Sequence, residues 1–229
     1  MEHKTRYAIV LTMHFHIITL FPGSFDSYLG ESILKRAIAK KKIRVTFYNP
    51  RDFTTDKWAR VDRRPYGGGP GMVLEAESIL RAVTKAMGRK DRKHVKIVFL
   101  RPNGTAFSNT YADSVIKKRY KHMIIICGRY EGIDARVQKI LRAEPLSVGP
   151  FTLTGGELPA MVIIDTIARR LPGVLGKDDS VEERRVAGDD VYTRPEALTW
   201  KGKTYKVPKV LLSGDHKKID AWRRGDTQQ

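Results

Sequence analysis

The sequence predicts an α/β protein built on a mainly parallel sheet. Short apolar runs of β type alternate along the chain with stretches of helical spacing. Two glycine-rich segments, CGRYEGIDARV from Cys127 and SVGPFTLTGGELPAM from Ser147, each follow a strand-like run. Ligands of such sheets sit beyond the strand C-termini, where these loops fall. A hydrophobic fraction of 41% in 229 residues suffices for a substantial core.

The elements follow in order. His14–Leu20 is a β-type run that ends at Phe21-Pro22-Gly23. Helical spacing through Phe25, Leu29, Ile33, Leu34, Ala37 and Ile38 predicts one helix over 25–41. A strand follows at 43–48. Residues 49–71 are long, polar and rich in Gly and Pro, which marks a functional loop. A helix is expected at 76–87, a strand at 95–100, a helix at 109–120 and a strand at 123–127. A short helix then follows Gly132, and a last one spans 158–171. Residues 174–190 are charged and short of apolar side chains, so they read as a linker. Residues 191–229 have little helical periodicity before Asp215–Arg224 and form a small basic unit.

Charge is the strongest compositional statement. Lys and Arg number 43 against 25 Asp and Glu, a formal net charge of +18. They cluster at 40–44, 60–64, 89–96, 117–121, 201–209 and 217–224. A single run of this kind is usually a solvated face, but the whole set points to nucleic acid as partner. No segment resembles a membrane span or a basic amphipathic helix with an aromatic face, so no membrane partner is expected. The lone cysteine, Cys127, excludes an intrachain disulfide and reads as a buried thiol. The first dozen residues lack a secretory pattern, and a cytoplasmic protein is the simple expectation.

Two motifs need weighing before any chemistry is assigned. YGGGPG at 66–71 lacks the Gly-Lys-Ser/Thr of a P-loop and does not sit at a strand-to-helix turn. It is either a plain flexible loop or, with Arg60, Asp62, Arg63, Arg64 and Tyr66 beside it, a surface for phosphate and base. His14 and His16 share a strand face. Without an acidic or Cys partner at ligand spacing they read as packing residues, and no metal site is expected.

The two glycine-rich strings closely resemble the cofactor-binding loops of bacterial tRNA (guanine-N1)-methyltransferases, the TrmD family of knotted, SPOUT-class enzymes. LFPGSF at 20–25, NPRDF at 49–53 and VDRRPYGGGPGM at 61–72 resemble strings of that family as well. So do FLRPNG at 99–104, PGVLG at 172–176, YTRPE at 192–196 and LLSGDH at 211–216. They occur in family order from Met13 onward, which leaves 1–12 as an N-terminal extension. The resemblance implies a trefoil-knotted catalytic domain over 13–173, a linker over 174–190 and a small, mainly helical, basic C-terminal domain over 191–229. It further implies an obligate homodimer with S-adenosylmethionine as methyl donor.

The resemblance also implies site residues. Cofactor would be held by Leu100, Pro102, Gly128, Tyr130, Glu131 and Gly132, and by the stretch Val148, Gly149, Pro150, Phe151, Thr152 and Leu153. Gly155, Gly156 and Pro159 would close the site. Backbone amides can read adenine edges without side-chain chemistry, and glycines let them approach. Glu131 can offset the positive charge of the methionine moiety. Asp62, Arg64, Pro70, Gly71 and Leu175 would meet tRNA, with the flipped guanine between Pro70–Gly71 and Leu175.

Methylation of guanine N1 needs removal of the N1 proton, stabilisation of charge on O6 and an in-line methyl. Arg169, in IIDTIARRLPG, matches the family's catalytic arginine, a cation placed to stabilise O6. Arg170 beside it reads as surface charge. At the family's base position, ungapped counting places Arg184 in SVEERRV, so a small shift makes Glu183 the expected base, with Glu182 next and Asp189 behind. Any Mg²⁺ the reaction uses is expected to enter with substrate. The implied reaction methylates N1 of the guanosine immediately 3′ of the anticodon, guanosine-37, where another guanosine precedes it. The rivals are a tRNA-binding relic without chemistry and a related enzyme acting on another RNA. The C-terminal unit is shorter than in family members generally, which suggests a reduced grip on tRNA.

Overall fold

The computed structural model describes residues 12–175 and 190–225. The chain divides into two compact units, the first ending at Leu175.

The first unit is built on five parallel strands. β1 (Met13–Ile18) lies beside β2 (Ile43–Tyr48) on one side and His122–Ile126 on the other. The two-residue strands Asp62–Arg63 (β3) and Val73–Leu74 (β4) pair antiparallel outside this sheet. Val95–Ala106 is β5, His122–Ile126 is β6 and Glu144–Ser147 is β7, giving the order β2-β1-β6-β5-β7. β1 and β6 are covered on both faces and largely apolar, as a covered parallel sheet requires, with His14, His16 and His122 set on one of those faces. Ile124, Ile125 and Ile126 are all fully buried, each burial stabilising by roughly 1.5–3 kcal/mol.

The sheet separates two clusters of core side chains. On one face Phe15, Ile17, Met123 and Ile125 pack with Leu34 and Ala37 of α2 (Ser32–Ala39), Ala112 and Val115 of α4 (Asn109–Lys117), and Ile163, Ile164 and Ile167 of α6 (Glu157–Ala168). On the other, Ile18, Ile124 and Ile126 meet Ile79, Ala82, Val83 and Ala86 of α3 (Ala76–Met87) and Val137 of α5 (Ala135–Leu141). Ser108 and Asp134 cap α4 and α5, their side chains accepting from the amides of Tyr111 and Arg136 at 3.1 and 2.9 Å.

Three departures from the sequence expectation have local causes. The single helix expected over 25–41 is a 3₁₀ turn at Pro22–Phe25, a short α1 (Asp26–Leu29) and α2. Gly30 ends α1, and a Cβ there would lie 2.6 Å from the Asp26 carbonyl, closer than a side chain allows. The loop expected over 49–71 contains a 3₁₀ turn at Pro50–Phe53 and β3, which pairs with β4 just beyond it; both strands are too short for a periodic signal. β5 runs on past Leu100. Both Leu100 and Thr105 register with Leu146 of β7, so residues 101–104 loop out of the ladder. Gly104 makes this possible, since a Cβ would sit 2.5 Å from the Leu146 amide nitrogen.

The second unit opens on an antiparallel hairpin rather than a helix. β8 (Ala197–Trp200) and β9 (Lys203–Lys206) turn at Lys201-Gly202, both with positive φ, as a two-residue hairpin turn demands. α7 (Lys209–Leu212) and α8 (His216–Arg223) follow. Asp215 caps α8, accepting from the amides of Lys217 and Lys218 at 3.1 and 3.3 Å. Tyr192 faces Trp222 with ring centroids 6.2 Å apart. Among the described residues, no helix is long and apolar enough to cross a membrane.

Candidate active site

β5, β6 and β7 end side by side, and a pocket of about 410 Å³ opens at their C-termini. This is the size of a small-molecule site. Leu100 and Pro102 come from β5, and Gly128, Tyr130, Glu131 and Gly132 from the loop after β6. Val148, Gly149, Phe151, Thr152 and Leu153 follow β7, while Gly155, Gly156 and Pro159 start α6. All the expected cofactor positions line this one pocket except Pro150. Arg101, Asn103, Arg129, Gln138 and Thr154 also line it and were not anticipated.

The two glycine-rich loops are joined directly. The Gly156 amide donates to the Gly128 carbonyl at 2.9 Å. A Cβ on Gly156 would stand 2.6 Å from the Cys127 Cα and 2.9 Å from the Gly128 nitrogen, backbone atoms that cannot step aside. Ser147 folds its own loop back, its hydroxyl donating to the Gly149 carbonyl at 2.9 Å. Tyr130 and Gly132 hold positive φ (58° and 128°), which bends the post-β6 loop around the pocket.

Beneath the loops lies a charged network that the sequence reading did not single out. Glu157, 3% exposed, accepts from the Thr19 hydroxyl at 2.7 Å and pairs with Arg129, Nε to Oε2 at 2.9 Å. Arg129 also donates to the Thr154 carbonyl at 3.3 Å and lies over the Phe21 ring. The end of β1, the post-β6 loop and the start of α6 are thus held by one buried carboxylate. Its sequence signal was the acidic residue directly after Gly155-Gly156, at a helix N-terminus that favours negative charge. Cys127 is buried among these groups, and burial pushes its thiol well above the usual range, as a structural thiol requires.

The hairpin of β3 and β4 is stitched to the same loop. Glu131 donates its amide to the Met72 carbonyl at 3.0 Å, and Leu74 donates to the Gly132 carbonyl at 2.9 Å. Asp62 sits on β3 half-buried, and Arg64, Pro70 and Gly71 lie exposed at the hairpin tip. Gly67, Gly68, Gly69 and Gly71 all take positive φ, and Tyr66 is fully exposed. Behind the tip Asp56 pairs with Arg60 at 2.9 Å, and that hydrogen-bonded guanidinium lowers its carboxyl to about 2.

Arg169 stands elsewhere. It caps the C-terminus of α6, half-buried, while the pocket takes the N-terminus of that helix. The twelve residues of α6 separate Gly156 from Arg169, thirteen steps of 1.5 Å or roughly 20 Å. Arg170 is not surface charge as expected. It is 3% exposed, donates to the Thr166 carbonyl at 2.7 Å and pairs with Asp113 at 3.2 Å, which ties α6 to α4. Leu175 is half-buried at the end of the first unit and is not among the pocket lining. Glu182, Glu183 and Asp189, the expected base and its alternatives, lie outside the described residues.

A parallel α/β sheet with a glycine-lined pocket at three adjacent strand ends defines a small-molecule-binding domain in which backbone, more than side chains, shapes the ligand. The family model for tRNA (guanine-1)-methyltransferase TrmD matches residues 13–229. The chain belongs to this family. It is 42% identical to a tRNA (guanine-N(1)-)-methyltransferase of Clostridioides difficile, over 94% of this chain and 92% of the relative. With proteins of the same name from Thermomicrobium roseum and Buchnera aphidicola it shares 45% and 42% identity, over 93% and 91% of this chain and 78% and 87% of theirs.

Proposed function

We propose that the chain methylates N1 of guanosine-37 in tRNA with S-adenosylmethionine as donor. The observation that carries this reading is the convergence of the two glycine-rich loops of a TrmD-family chain on one pocket at the strand ends. The residues present suit the donor. Apolar Leu100, Ile133, Leu153 and Pro159 suit adenine, the backbone of 148–153 suits its edges, and Glu131 places a carboxylate for the cationic end. When bound, the donor supplies an electrophilic methyl on a sulfonium. Gly71 and Glu131 abut, which brings the hairpin tip proposed to meet guanine up to the cofactor loop.

The chain's own residues then have distinct tasks. The carboxylate drawn from 182–189, Glu183 first, takes the N1 proton. Arg169 stabilises the negative charge that grows on O6. Because Arg169 lies at the far end of α6 from the pocket, the reading assigns it to the pocket of a second copy and makes the active unit a homodimer. α6 exposes Leu158 and Val162, apolar side chains suited to such an interface. The trefoil knot follows from the same family reading. The domain limits 13–173, 174–190 and 191–229, the cytoplasmic location and Mg²⁺ entering with tRNA belong to the same reading.

Single-turnover transfer of labelled methyl to tRNA transcripts tests it. Transfer is expected to a transcript with G at the target and not to one with A there. No transfer to the G transcript, or equal transfer to both, overturns the assignment.

A further inference from the structure

Away from this pocket, the sheet brings His122 to His14 and His16, which lie more than 100 residues earlier in the sequence. In the parallel register of β1 and β6, His14 stands opposite His122, and His16 follows His14 on the same face. One ring nitrogen from each of the three lies within 4.8 Å of the others. His16 Nε2 and His122 Nδ1 share a hydrogen bond of 3.2 Å, which a bound metal ion would replace. Two nitrogens on a tetrahedral metal with bonds of 2.0–2.1 Å stand about 3.4 Å apart, so this edge is already at ligand spacing. To hold one ion the rings must turn so that the widest separation, within 4.8 Å, closes to that spacing.

Two of the three rings have their other nitrogen occupied in the way a metal site requires. His14 Nε2 meets the Thr46 hydroxyl at 2.8 Å, and His16 Nδ1 meets the Tyr48 hydroxyl at 3.0 Å, both from β2. Outer partners of this kind orient an imidazole and leave its remaining nitrogen for the metal. His16 is 1% exposed, in a position where an apolar side chain would cost less to bury.

We propose that His14, His16 and His122 bind one dication of the imidazole-preferring transition metals, such as Zn²⁺, with water in the fourth position. The metal would clamp β1 to β6, and through Thr46 and Tyr48 it would reach β2. The surroundings are cationic: Arg44 on β2, Lys90 after α3, and Lys121 and His94 near His122. Burial first, and these charges after it, keep the rings unprotonated, and the charges also repel a dication. Coordination must therefore outweigh repulsion, and binding should tighten as salt screens these neighbours.

The test uses the full chain without an affinity tag, stripped with chelator and titrated with Zn²⁺ alone, then with Co²⁺. One equivalent of Zn²⁺ should bind by calorimetry, and Co²⁺ should give visible d–d absorption that Zn²⁺ abolishes. H14N and H122N should each weaken binding at least tenfold, while H94N and H216N should leave it unchanged. If a variant fails to fold, long-range ¹H–¹⁵N imidazole spectra of the wild-type chain decide, with three ring systems expected to shift together at one equivalent. Absent stoichiometric binding, binding untouched by H14N and H122N, or shifts confined to His94 or His216 would each overturn the proposal. None of these readouts involves methyl transfer.

Discussion

The amide of Gly156 donates to the carbonyl of Gly128 at 2.9 Å, and this one bond holds together two loops whose glycines lie 28 positions apart. The two glycines tolerate change differently. A Cβ on Gly156 meets backbone at 2.6 Å, whereas one on Gly128 meets only Ile133 side-chain carbons at 3.7 and 3.8 Å. Gly156→Ala should therefore force the loops apart, cost about 1–3 kcal/mol and abolish S-adenosylmethionine binding. Gly128→Ala should be nearly silent in stability, and Gly128→Val should crowd the pocket with little unfolding. Thermal melts with donor calorimetry check this; a stable, donor-binding Gly156→Ala chain contradicts it.

Glu157 should prove the most sensitive polar position in the first unit. Glu157→Gln keeps an acceptor for Thr19 but leaves Arg129, with 24% of its side chain exposed, without its counter-charge. Loss of one partner from a buried pair costs on the order of 3 kcal/mol, and the solvent reaching Arg129 places the expectation at or below that figure. Urea unfolding measures it. Glu131→Gln, on the rim of the same pocket, should change stability little and donor affinity more.

How much of this was legible depends on how each element carries its signal. β2 and α3 occur at the residues expected, because α3 buries Ile79, Ala82, Val83 and Ala86 at helical spacing and β2 is β-branched or aromatic at every position but Arg44. β8 and β9 went unseen because every residue in them is exposed, so no apolar alternation betrays them. Arg170 was misjudged because charge alone does not show that Asp113 and the Thr166 carbonyl await it inside. The pocket positions came through the family strings. The third histidine was hidden because only strand order sets His122 beside His14.

Arg169 offers a test of assembly. A chain carrying Arg169→Ala and one carrying Gly156→Val should each be inactive alone. If each pocket takes its arginine from the other copy, mixing them through a denature–renature step should restore roughly a quarter of wild-type activity, from heterodimers with one intact site. No recovery, despite heterodimers seen by mass spectrometry, would place Arg169 and the pocket in one chain's site.

Affinity for tRNA should be largely electrostatic, given the net charge of +18. The logarithm of affinity should fall linearly with the logarithm of salt concentration, by a slope of about 0.7–0.9 for each phosphate neutralised. Filter binding across a salt series measures that slope. Charge reversal at Lys203 and Lys206 on the exposed hairpin should make it shallower without altering donor binding. A flat response would contradict an electrostatic grip.

The proton on guanine N1 must pass to some base, and the family's usual aspartate position holds Arg184 when the chain is counted without gaps. Three carboxylates stand nearby in sequence: Glu182, Glu183 and Asp189. Glu183 is the first choice because a one-residue shift brings it to the required place. Arginines at 184 and 185 favour its ionised form, so exclusion of water by bound tRNA must restore its basicity. Glu183→Gln should leave donor and tRNA affinity unchanged while lowering the single-turnover rate on the order of a hundred- to ten-thousand-fold, the usual cost of losing a general base. Glu182→Gln should cost far less, and the wild-type rate should rise with pH until the base is ionised, then level off. Arg169→Ala should be as damaging as Glu183→Gln yet keep the pH dependence, since it removes charge stabilisation and leaves the base in place. A near-silent Glu183→Gln beside a crippled Glu182→Gln or Asp189→Asn would move the base to that residue. Three silent variants would mean that solvent takes the proton and that Arg169 alone carries the polar part of the chemistry.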